Sequence, residues 1–518
     1  MTEGDQGTQA RLGEGRAADV RTIAKGGAVQ IVGQISQRSL SFFFGLVAFR
    51  FVGASGYGLY RKVNQLLLIA SQLGLAGFNY AAMRFMSRAR ARAEPGGVRG
   101  ALRVSLAGTS IASAVVFVMV VVLAEQLGET FAGARGTPAE VAMLLRLGAV
   151  YVPLYALLQT LRYATQSYKT MVPSVVAGNI VQPVLRFLIG VAVLVAGFEV
   201  AGMVVTLWVS VALSLVLIAY YLRRMMTEDE LAAEPRAERA EMTRFALLQA
   251  GSSLLGIQTL GLNIIILGLY ASDREVGLLA AALSLQGPGT VFLGGIVNIW
   301  APVVTDLHER GAIGRLDSLY KTINRWIATF SFPVFAALIL EPDLFAHVFT
   351  GSATDAADAA PLVAVLALGN LFYTGTGPTG YVLSMTGHPG VNLINSIASV
   401  TLYVVAGLWA APRYGALGVA WVDAGVTALV NSARVIEAKL LVGVQPFGRT
   451  FFKPVAATLV GAGVLLAWRL VPGDSMPLEI AGVAVAALVY LAVLKALGLD
   501  PEERHVFERI KQRALKRR

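Results

Sequence analysis

The chain has 518 residues, of which 56% are hydrophobic and 14% charged, and its formal net charge is +11. This apolar content exceeds what one soluble core buries, whereas about 20 apolar residues suffice for each crossing of a bilayer. The composition therefore predicts a polytopic membrane protein and excludes a disordered or fibrous chain. Cysteine is absent, so disulfides, thiolate catalysis and cysteine-ligated metals are excluded. The four histidines are dispersed, and we predict neither a metal site nor a cofactor.

Residues 1–25 are polar, mixed in charge and unlike a cleavable signal, and we interpret them as a cytoplasmic tail. Apolar runs bounded by glycine, proline or charge then predict an all-α membrane protein with fourteen transmembrane helices. The predicted helices begin near Gly26, Asn64, Leu102, Leu144, Val172, Ala201, Phe245, Gly277, Trp326, Ala359, Val391, Gly415, Phe452 and Leu478.

The placement of basic residues provides an independent test of this helix count. With the N-terminus inside, 33 of the 43 Lys and Arg residues fall in inside segments and 8 in outside segments. Cytoplasmic loops carry such an excess, which predicts a multi-pass plasma membrane protein with both termini in the cytoplasm. The net positive charge thereby reflects membrane topology, and we predict no nucleic-acid partner.

A hydrophilic segment, 225–244, divides the predicted helices into two groups of six. We expect an N-lobe at 26–224, a C-lobe at 245–442, a final helix pair at 451–497 and a basic cytoplasmic tail at 498–518. The tail either adheres to anionic lipids or simply follows the positive-inside rule. A short internal echo places Gly58 and Gly277 in corresponding positions of the two lobes. Transporters often contain such repeats, with the substrate site at their interface.

Two arginines are predicted at the bilayer midplane, where a charged side chain is costly unless it faces a partner or a water-filled cavity. Arg38 lies at the centre of the first helix and shares a face with Gln34, four residues earlier. Arg186 lies in the fifth helix, shortly after Pro183, which should kink that helix. These side chains predict a polar, cationic cavity, although uncharged polar stripes also serve as hydrogen-bonded contacts between helices.

Other charged positions have simpler interpretations. Arg50, Arg84, Arg162 and Arg434 fall at predicted helix ends, where snorkelling to the membrane interface explains them. The first six helices contain no embedded Asp or Glu, and the later ones contain only Asp423, which we expect to pair with an arginine or a backbone donor. Guanidinium groups without buried carboxylates favour an anionic substrate, and the planar fork of arginine matches phosphate geometry.

No enzymatic motif is evident. The predicted outside loops are short, and the chain contains neither a phosphate-binding P-loop nor a Gly-x-Ser-x-Gly nucleophile elbow. The glycine-rich stretch from Gly375 to Gly380 lies inside the tenth apolar run, which indicates a kinked helix rather than a nucleotide cradle. These features favour a transporter over a membrane enzyme.

Several motifs resemble those of one family. FRFVGASGYGLY follows the first helix, QPVLRFLIG surrounds Arg186, and APRYGALGVAWVDAG includes Asp423. Together with their order and spacing, they resemble the prokaryotic polysaccharide flippases of the multidrug, oligosaccharidyl-lipid and polysaccharide exporter superfamily. The resemblance extends from about Lys25 to Pro446.

The resemblance implies two six-helix lobes around a central cavity, followed by two extra helices. It also implies that a polyprenyl-linked oligosaccharide is moved to the outer leaflet by alternating access, with membrane lipids and other polysaccharide-assembly proteins as partners. Arginines on the first helix would engage the pyrophosphate, and Arg38 and Arg50 are the nearest matches. We therefore predict the following substrate-binding residues: Arg38, Arg186 and Arg50 for phosphate, and Gln34, Gln258 and Asn263 for sugar hydroxyls.

Two other functions remain open. An ion-coupled multidrug exporter of the same fold would depend on Asp423, although the first lobe lacks the carboxylate usual in that branch. A membrane glycan polymerase or ligase is the third alternative, and the short outside loops disfavour it.

Overall fold

Helices account for nearly all of the computed structural model, which describes residues 3–133, 137–254, 261–473 and 475–498. The described part contains no β-strand, so the all-α prediction is confirmed. Its helices are α1 (Glu3–Leu75), α2 (Phe78–Ala91), α3 (Pro95–Val122), α4 (Ala124–Phe131), α5 (Pro138–Gly148), α6 (Tyr151–Gln166), α7 (Val172–Val175), a π-helical segment (Val176–Val181), α8 (Gln182–Val195), α9 (Glu199–Met225), α10 (Glu228–Ala232), α11 (Arg239–Leu254), α12 (Leu262–Gly268), α13 (Asp273–Leu285), α14 (Gly287–Glu309), α15 (Ile313–Leu340), α16 (Pro342–Thr350), α17 (Ala353–Thr376), α18 (Thr379–Met385), α19 (Pro389–Leu441), a 3₁₀ turn (Arg449–Phe451), α20 (Phe452–Trp468) and α21 (Met476–Ala496).

The long helix α1 reverses direction at Gly53. The rings of Phe44 and Tyr60 are 6.0 Å apart between centroids, and those of Phe49 and Tyr57 are 5.5 Å apart. In a straight helix, residues sixteen positions apart would be separated by about 24 Å. Gly53 has φ 67° and ψ 179°, a conformation that glycine adopts without steric strain. The chain therefore folds back here as a helical hairpin.

A second reversal occurs in α19 at Gly415, where φ is 56° and ψ is −142°. The amide of Asn395, before the reversal, donates a hydrogen bond to the Glu437 carboxylate, 42 residues later. Such a bond is possible only because the two arms of α19 lie side by side. The predicted start of a new helix near Gly415 thus coincides with this turn.

Ten of the described helices are long and apolar enough to cross a membrane, or eleven if the bent pair α13 and α14 forms one span. The multi-pass prediction therefore agrees with the structure. Two of the ten contain the reversals at Gly53 and Gly415, so each of these consists of two helical arms that lie side by side. The total of fourteen crossings stays a prediction, because residues 255–260, next to α12, lie outside the described part of the chain.

The segment that joins α9 to α11, hereafter the linker, is held against the ends of α2, α3 and α6. Thr227 and Glu230 form a capping box at the start of α10. The Glu230 carboxylate accepts hydrogen bonds from Arg90 Nε at 3.2 Å and from the Tyr168 hydroxyl at 2.7 Å. Arg99 Nη1 donates to the carbonyl of Ala233 at 2.9 Å. We call this side of the molecule the linker face and the side of the Gly53 turn the Gly53 face.

The second predicted helix begins earlier than expected. Its predicted start near Asn64 left Arg61 and Lys62 in an outside segment, which is wrong. The helix resumes directly after Gly53, so both basic residues lie about two turns inside it. Lys62 is completely buried, with 0% of its surface exposed.

A cationic cavity between the two lobes

A cavity of about 990 Å³ lies between α1 on one side and α13, α14, α17 and α19 on the other. Two guanidinium groups, one carboxylate and six side-chain amides contribute to its wall. These polar lining residues are Arg38, Arg61, Asp423, Gln34, Gln37, Asn179, Asn263, Gln286 and Asn370. The cavity is therefore polar and carries a net positive charge, as expected for a site that binds an anion.

Arg38 is the first of the two cavity arginines. Its side chain is exposed to the cavity, and Nη1 donates a hydrogen bond to the Thr290 hydroxyl at 3.1 Å, which connects α1 to α14. A Cβ atom at Gly294 would lie 3.1 Å from Arg38 Nη2, so this glycine provides room for the guanidinium beside α14. Arg38, which the sequence predicts at the midplane of the first helix, therefore lies on the cavity wall.

Arg61 is the second cavity arginine, and it was not among the residues predicted to bind the substrate. Its Nε is buried and has no hydrogen-bond partner among the described residues. Only the reversal at Gly53 brings this arm of α1 beside the Arg38 arm. If the helix reversal had been placed at Gly53, the spacing between Gly53 and Arg61 would have predicted that Arg61 lies on the cavity wall.

A chain of polar contacts supports the cavity from the N-lobe. Arg162 Nη2 donates to Asn179 Oδ1 at 2.5 Å, and Asn179 Nδ2 donates to Gln37 Oε1 at 2.7 Å. Arg162 Nε also donates to the carbonyl of Ser174 at 3.1 Å. The prediction that Arg162 snorkels to the interface is therefore wrong, because its guanidinium orients Asn179 and Gln37 on the cavity wall.

The backbone near Pro183 makes this contact possible. The expected distortion takes the form of the π-helical segment just before the proline, a form of helix frequent at functional sites. Gly178 lies in that segment, and a Cβ atom there would overlap the Arg162 guanidinium. The wider turn and the absence of a side chain at Gly178 leave room for the Arg162 guanidinium beside the π-helical segment.

Arg186 and Arg50 lie apart from this cavity, since neither is among its lining residues. Arg186 Nη2 donates to the Tyr60 hydroxyl, and its guanidinium lies 5.4 Å from the centre of the Phe44 ring. Arg50 donates to the carbonyl of Val348 at the end of α16, so it caps that helix on the Gly53 face. The structure therefore brings neither of them together with Arg38.

The three predicted sugar-binding residues have different positions. Gln34 and Asn263 line the cavity, and Asn263 Oδ1 also accepts a hydrogen bond from the Ile264 amide at 2.9 Å. Gln258 lies outside the described residues. Asp423 lines the cavity beside Tyr403, and within the described part of the chain no Lys or Arg forms an ion pair with it. The expected pairing of Asp423 with an arginine is not found there.

On the Gly53 face the two lobes are in direct backbone contact. A Cβ atom at Gly58 would overlap the carbonyl oxygen of Asp273, and one at Gly277 would overlap that of Ala54. The two glycines of the internal echo thus lie against each other, where the second arm of α1 crosses α13. Only residues without a side chain allow helices to approach this closely. The lobes are closed on this face.

A buried ion pair reinforces that closure. Lys62 Nζ lies 2.6 Å from Asp273 Oδ1 and 2.6 Å from the carbonyl oxygen of Phe131. Lys62 is fully buried and the Asp273 side chain is 16% exposed, so each charge depends on the other for its stabilisation. The pair links the N-lobe to the start of α13 in the C-lobe.

This pair predicts a non-additive effect on stability. Asp273→Asn or Lys62→Met alone should each lower the free energy of unfolding by about 3 kcal/mol, because each leaves the remaining charge without its counter-ion. The double variant should be markedly more stable than the sum of the single losses predicts. Thermal unfolding in detergent measures this cycle, and additive losses would contradict the interaction.

The helical halves, the polar cavity between them and the closure on one face define the fold of a membrane transporter. The structure is similar to the lipid II flippase MurJ in its inward closed conformation, with a TM-score of 0.74 and 11% identity over 91% of this chain and 98% of that chain. It is also similar to an inward-facing multidrug resistance MATE transporter, with a TM-score of 0.63 and 16% identity over 80% and 98% of the two chains.

A third similar structure is a transporter from Pyrococcus furiosus whose binding pocket is described as reversed in polarity. Its TM-score is 0.57, with 17% identity over 82% of this chain and 96% of that chain. None of the curated protein sequences matches this chain. Residues 23–308 match the family described as polysaccharide biosynthesis protein. Because this match covers more than half of the sequence, the chain belongs to that family, which confirms the resemblance found in the sequence.

Proposed function

We propose that this protein is a flippase that moves a polyprenyl-pyrophosphate-linked oligosaccharide across the plasma membrane for surface polysaccharide synthesis. The observation that carries the proposal is the pair of arginines, Arg38 and Arg61, in a cavity that contains one carboxylate, Asp423. Two guanidiniums match two phosphate groups in charge and geometry. Arg61 thereby replaces Arg186 and Arg50 in the proposed phosphate site.

An apolar groove beside the cavity supports a lipid-linked substrate. The groove has a volume of about 350 Å³ and is bordered by Ile31, Phe292 and Phe330. Ile35 and Pro288 belong both to its wall and to that of the polar cavity. A lipid-linked glycan has the same two-part character, so its phosphate and sugars would occupy the cavity while the start of its prenyl chain lies in the groove.

The closure on the Gly53 face supports alternating access. With this face sealed, the substrate would enter from the linker face, which the distribution of basic residues assigns to the cytoplasm. Separation of Gly58 from Gly277, together with loss of the Lys62–Asp273 pair, would open the other side. The glycan would then leave toward the outer leaflet.

The proposal is tested in proteoliposomes that contain the purified protein and a lipid-linked oligosaccharide extracted from cells lacking the gene. We expect the protein to move this lipid between leaflets, and the same lipid should accumulate on the cytoplasmic side in the deletion strain. The absence of both effects would refute the flippase function.

A second candidate is an ion-coupled multidrug exporter, which the similarity to a multidrug resistance transporter and the position of Asp423 in the cavity support. It predicts that overexpression gives resistance to cationic drugs and that Asp423→Asn abolishes this resistance. Resistance that does not change with overexpression would exclude it. A membrane glycan polymerase or ligase is the least supported candidate, and turnover of the lipid-linked sugar by the purified protein would be needed to revive it.

A further inference from the structure

A second group of polar side chains surrounds Gly380 in the C-lobe. Helix α17 ends at Thr376, the backbone breaks at Gly377 with φ 67°, and α18 begins at Thr379. A Cβ atom at Gly380 would lie 3.2 Å from Asn392 Oδ1 and 3.7 Å from Arg434 Cζ, so both side chains flank this one backbone position. We call the following residues the Gly380 cluster: Tyr373, Gly380, Tyr381, Ser384, Asn392 and Arg434.

Two polar atoms of the cluster are unsatisfied. Arg434 Nε and Asn392 Oδ1 are buried, and neither has a hydrogen-bond partner among the described residues. The orientation of the Asn392 amide is fixed, because Nδ2 donates to Ser384 Oγ at 3.0 Å and the Ser384 hydroxyl itself donates to the Gly380 carbonyl at 2.9 Å. Buried donors and acceptors without partners are unfavourable, so a ligand that supplied both an acceptor and a donor here would be stabilised.

The cluster faces the space between the lobes. Arg434 precedes the end of α19 at Leu441 by about two turns, and the burial of its Nε contradicts the predicted snorkelling to the interface. Arg38 belongs to the opposite lobe, and it donates to Thr290 on α14, a helix that packs directly against α18 of the cluster. The residues Tyr373 and Tyr381 are 37% and 45% exposed. A ligand bound at Arg38 can therefore extend to this cluster.

The chemistry of the cluster favours a neutral polyhydroxyl ligand. An anion would be repelled by Asn392 Oδ1 and by Glu437, which is held nearby by Asn395. A cation would be repelled by Arg434. A sugar hydroxyl both donates and accepts, so neighbouring hydroxyls of one ring can satisfy Arg434 and Asn392 together. The exposed tyrosine rings supply apolar faces with hydroxyl tips, which suit the amphipathic surface of a sugar.

We propose that the Gly380 cluster is a saccharide subsite that holds the glycan portion of the substrate while Arg38 and Arg61 hold its phosphates. This inference rests on the proposed flippase function and adds a role for the C-lobe to it. The N-lobe arginines then bind the pyrophosphate that is common to all such lipids, and the Gly380 cluster recognises the sugar.

The test compares the binding of two probes to the purified protein in detergent. One probe is polyprenyl pyrophosphate alone, and the other is the glycosylated lipid extracted from the deletion strain. Arg434→Gln and Asn392→Ala should each weaken binding of the glycosylated lipid about tenfold and leave binding of bare polyprenyl pyrophosphate unchanged. Arg434→Lys, which keeps the charge but loses the planar fork, is the second variant if glutamine prevents folding.

Arg413→Gln is the matched control, because Arg413 lies on the same helix, is exposed and donates only locally to the Trp409 carbonyl. It should change the binding of neither probe. Equal losses for both probes, or no loss for either, would overturn the saccharide subsite while leaving the flippase function intact. If the unmodified protein binds neither probe, the proposed function fails and the subsite fails with it.

Discussion

Arg38→Ala and Arg61→Ala are each expected to slow flipping of the lipid-linked oligosaccharide by at least tenfold. A hydrogen bond to a charged group contributes about 1.5–3 kcal/mol, and 1.4 kcal/mol corresponds to a factor of ten. Both side chains lie on the cavity wall, and in the proposed function each substitution removes a contact with phosphate. The rate is measured in proteoliposomes with the glycosylated lipid labelled in one leaflet.

The controls separate a binding role from a structural one. Arg146→Ala removes an exposed arginine that pairs with Glu125 outside the cavity, and the flipping rate should stay unchanged. Arg186→Ala removes a bond to Tyr60 and a contact with Phe44 within the N-lobe, so its main effect should be reduced thermal stability. A full loss of flipping in Arg186→Ala together with normal flipping in Arg61→Ala would restore Arg186 to the phosphate site.

Gly277→Val is expected to favour opening of the Gly53 face. The added side chain would overlap the carbonyl of Ala54, and such overpacking costs about 1–3 kcal/mol in the closed state. If the open state relieves this clash, the ratio of open to closed protein should rise by about 5-fold to more than 100-fold. The variant should therefore transport slowly, because it no longer closes this face efficiently.

The natural absence of cysteine makes this shift measurable. A single Ser284→Cys substitution places a thiol on the cavity wall, where a membrane-impermeant maleimide reports access from either side. Gly277→Val should increase labelling from the Gly53 face and decrease it from the linker face. Gly463→Val on α20, where a Cβ atom would meet open space, serves as the control. Unchanged labelling in Gly277→Val would show that the glycine contact does not control access.

The sequence by itself determined the class of the protein and three predicted residues of the cavity wall, Arg38, Gln34 and Asn263. An apolar content of 56% requires a membrane, and the positions of glycine, proline and charge mark most of the helices. Arg38 was found because a charge in the middle of an apolar helix is costly whatever surrounds it. The echo between Gly58 and Gly277 was also visible, although not that the two residues touch. Such features are local, so periodicity and composition reveal them.

The tertiary structure alone decided which other charges reach the cavity. Arg61 and Lys62 are adjacent in sequence, yet one lines the cavity and the other is buried against Asp273, 211 residues away. In the sequence, Arg162 and Arg434 resemble residues that anchor helix ends at the membrane interface. In the folded structure, Arg162 contacts Asn179 and Arg434 lies beside Gly380. A buried charge is stable only with its partners, and these come from distant helices through the turns at Gly53 and Gly415. The packing of the helices therefore decides whether each charged side chain lines the cavity or is buried against a partner.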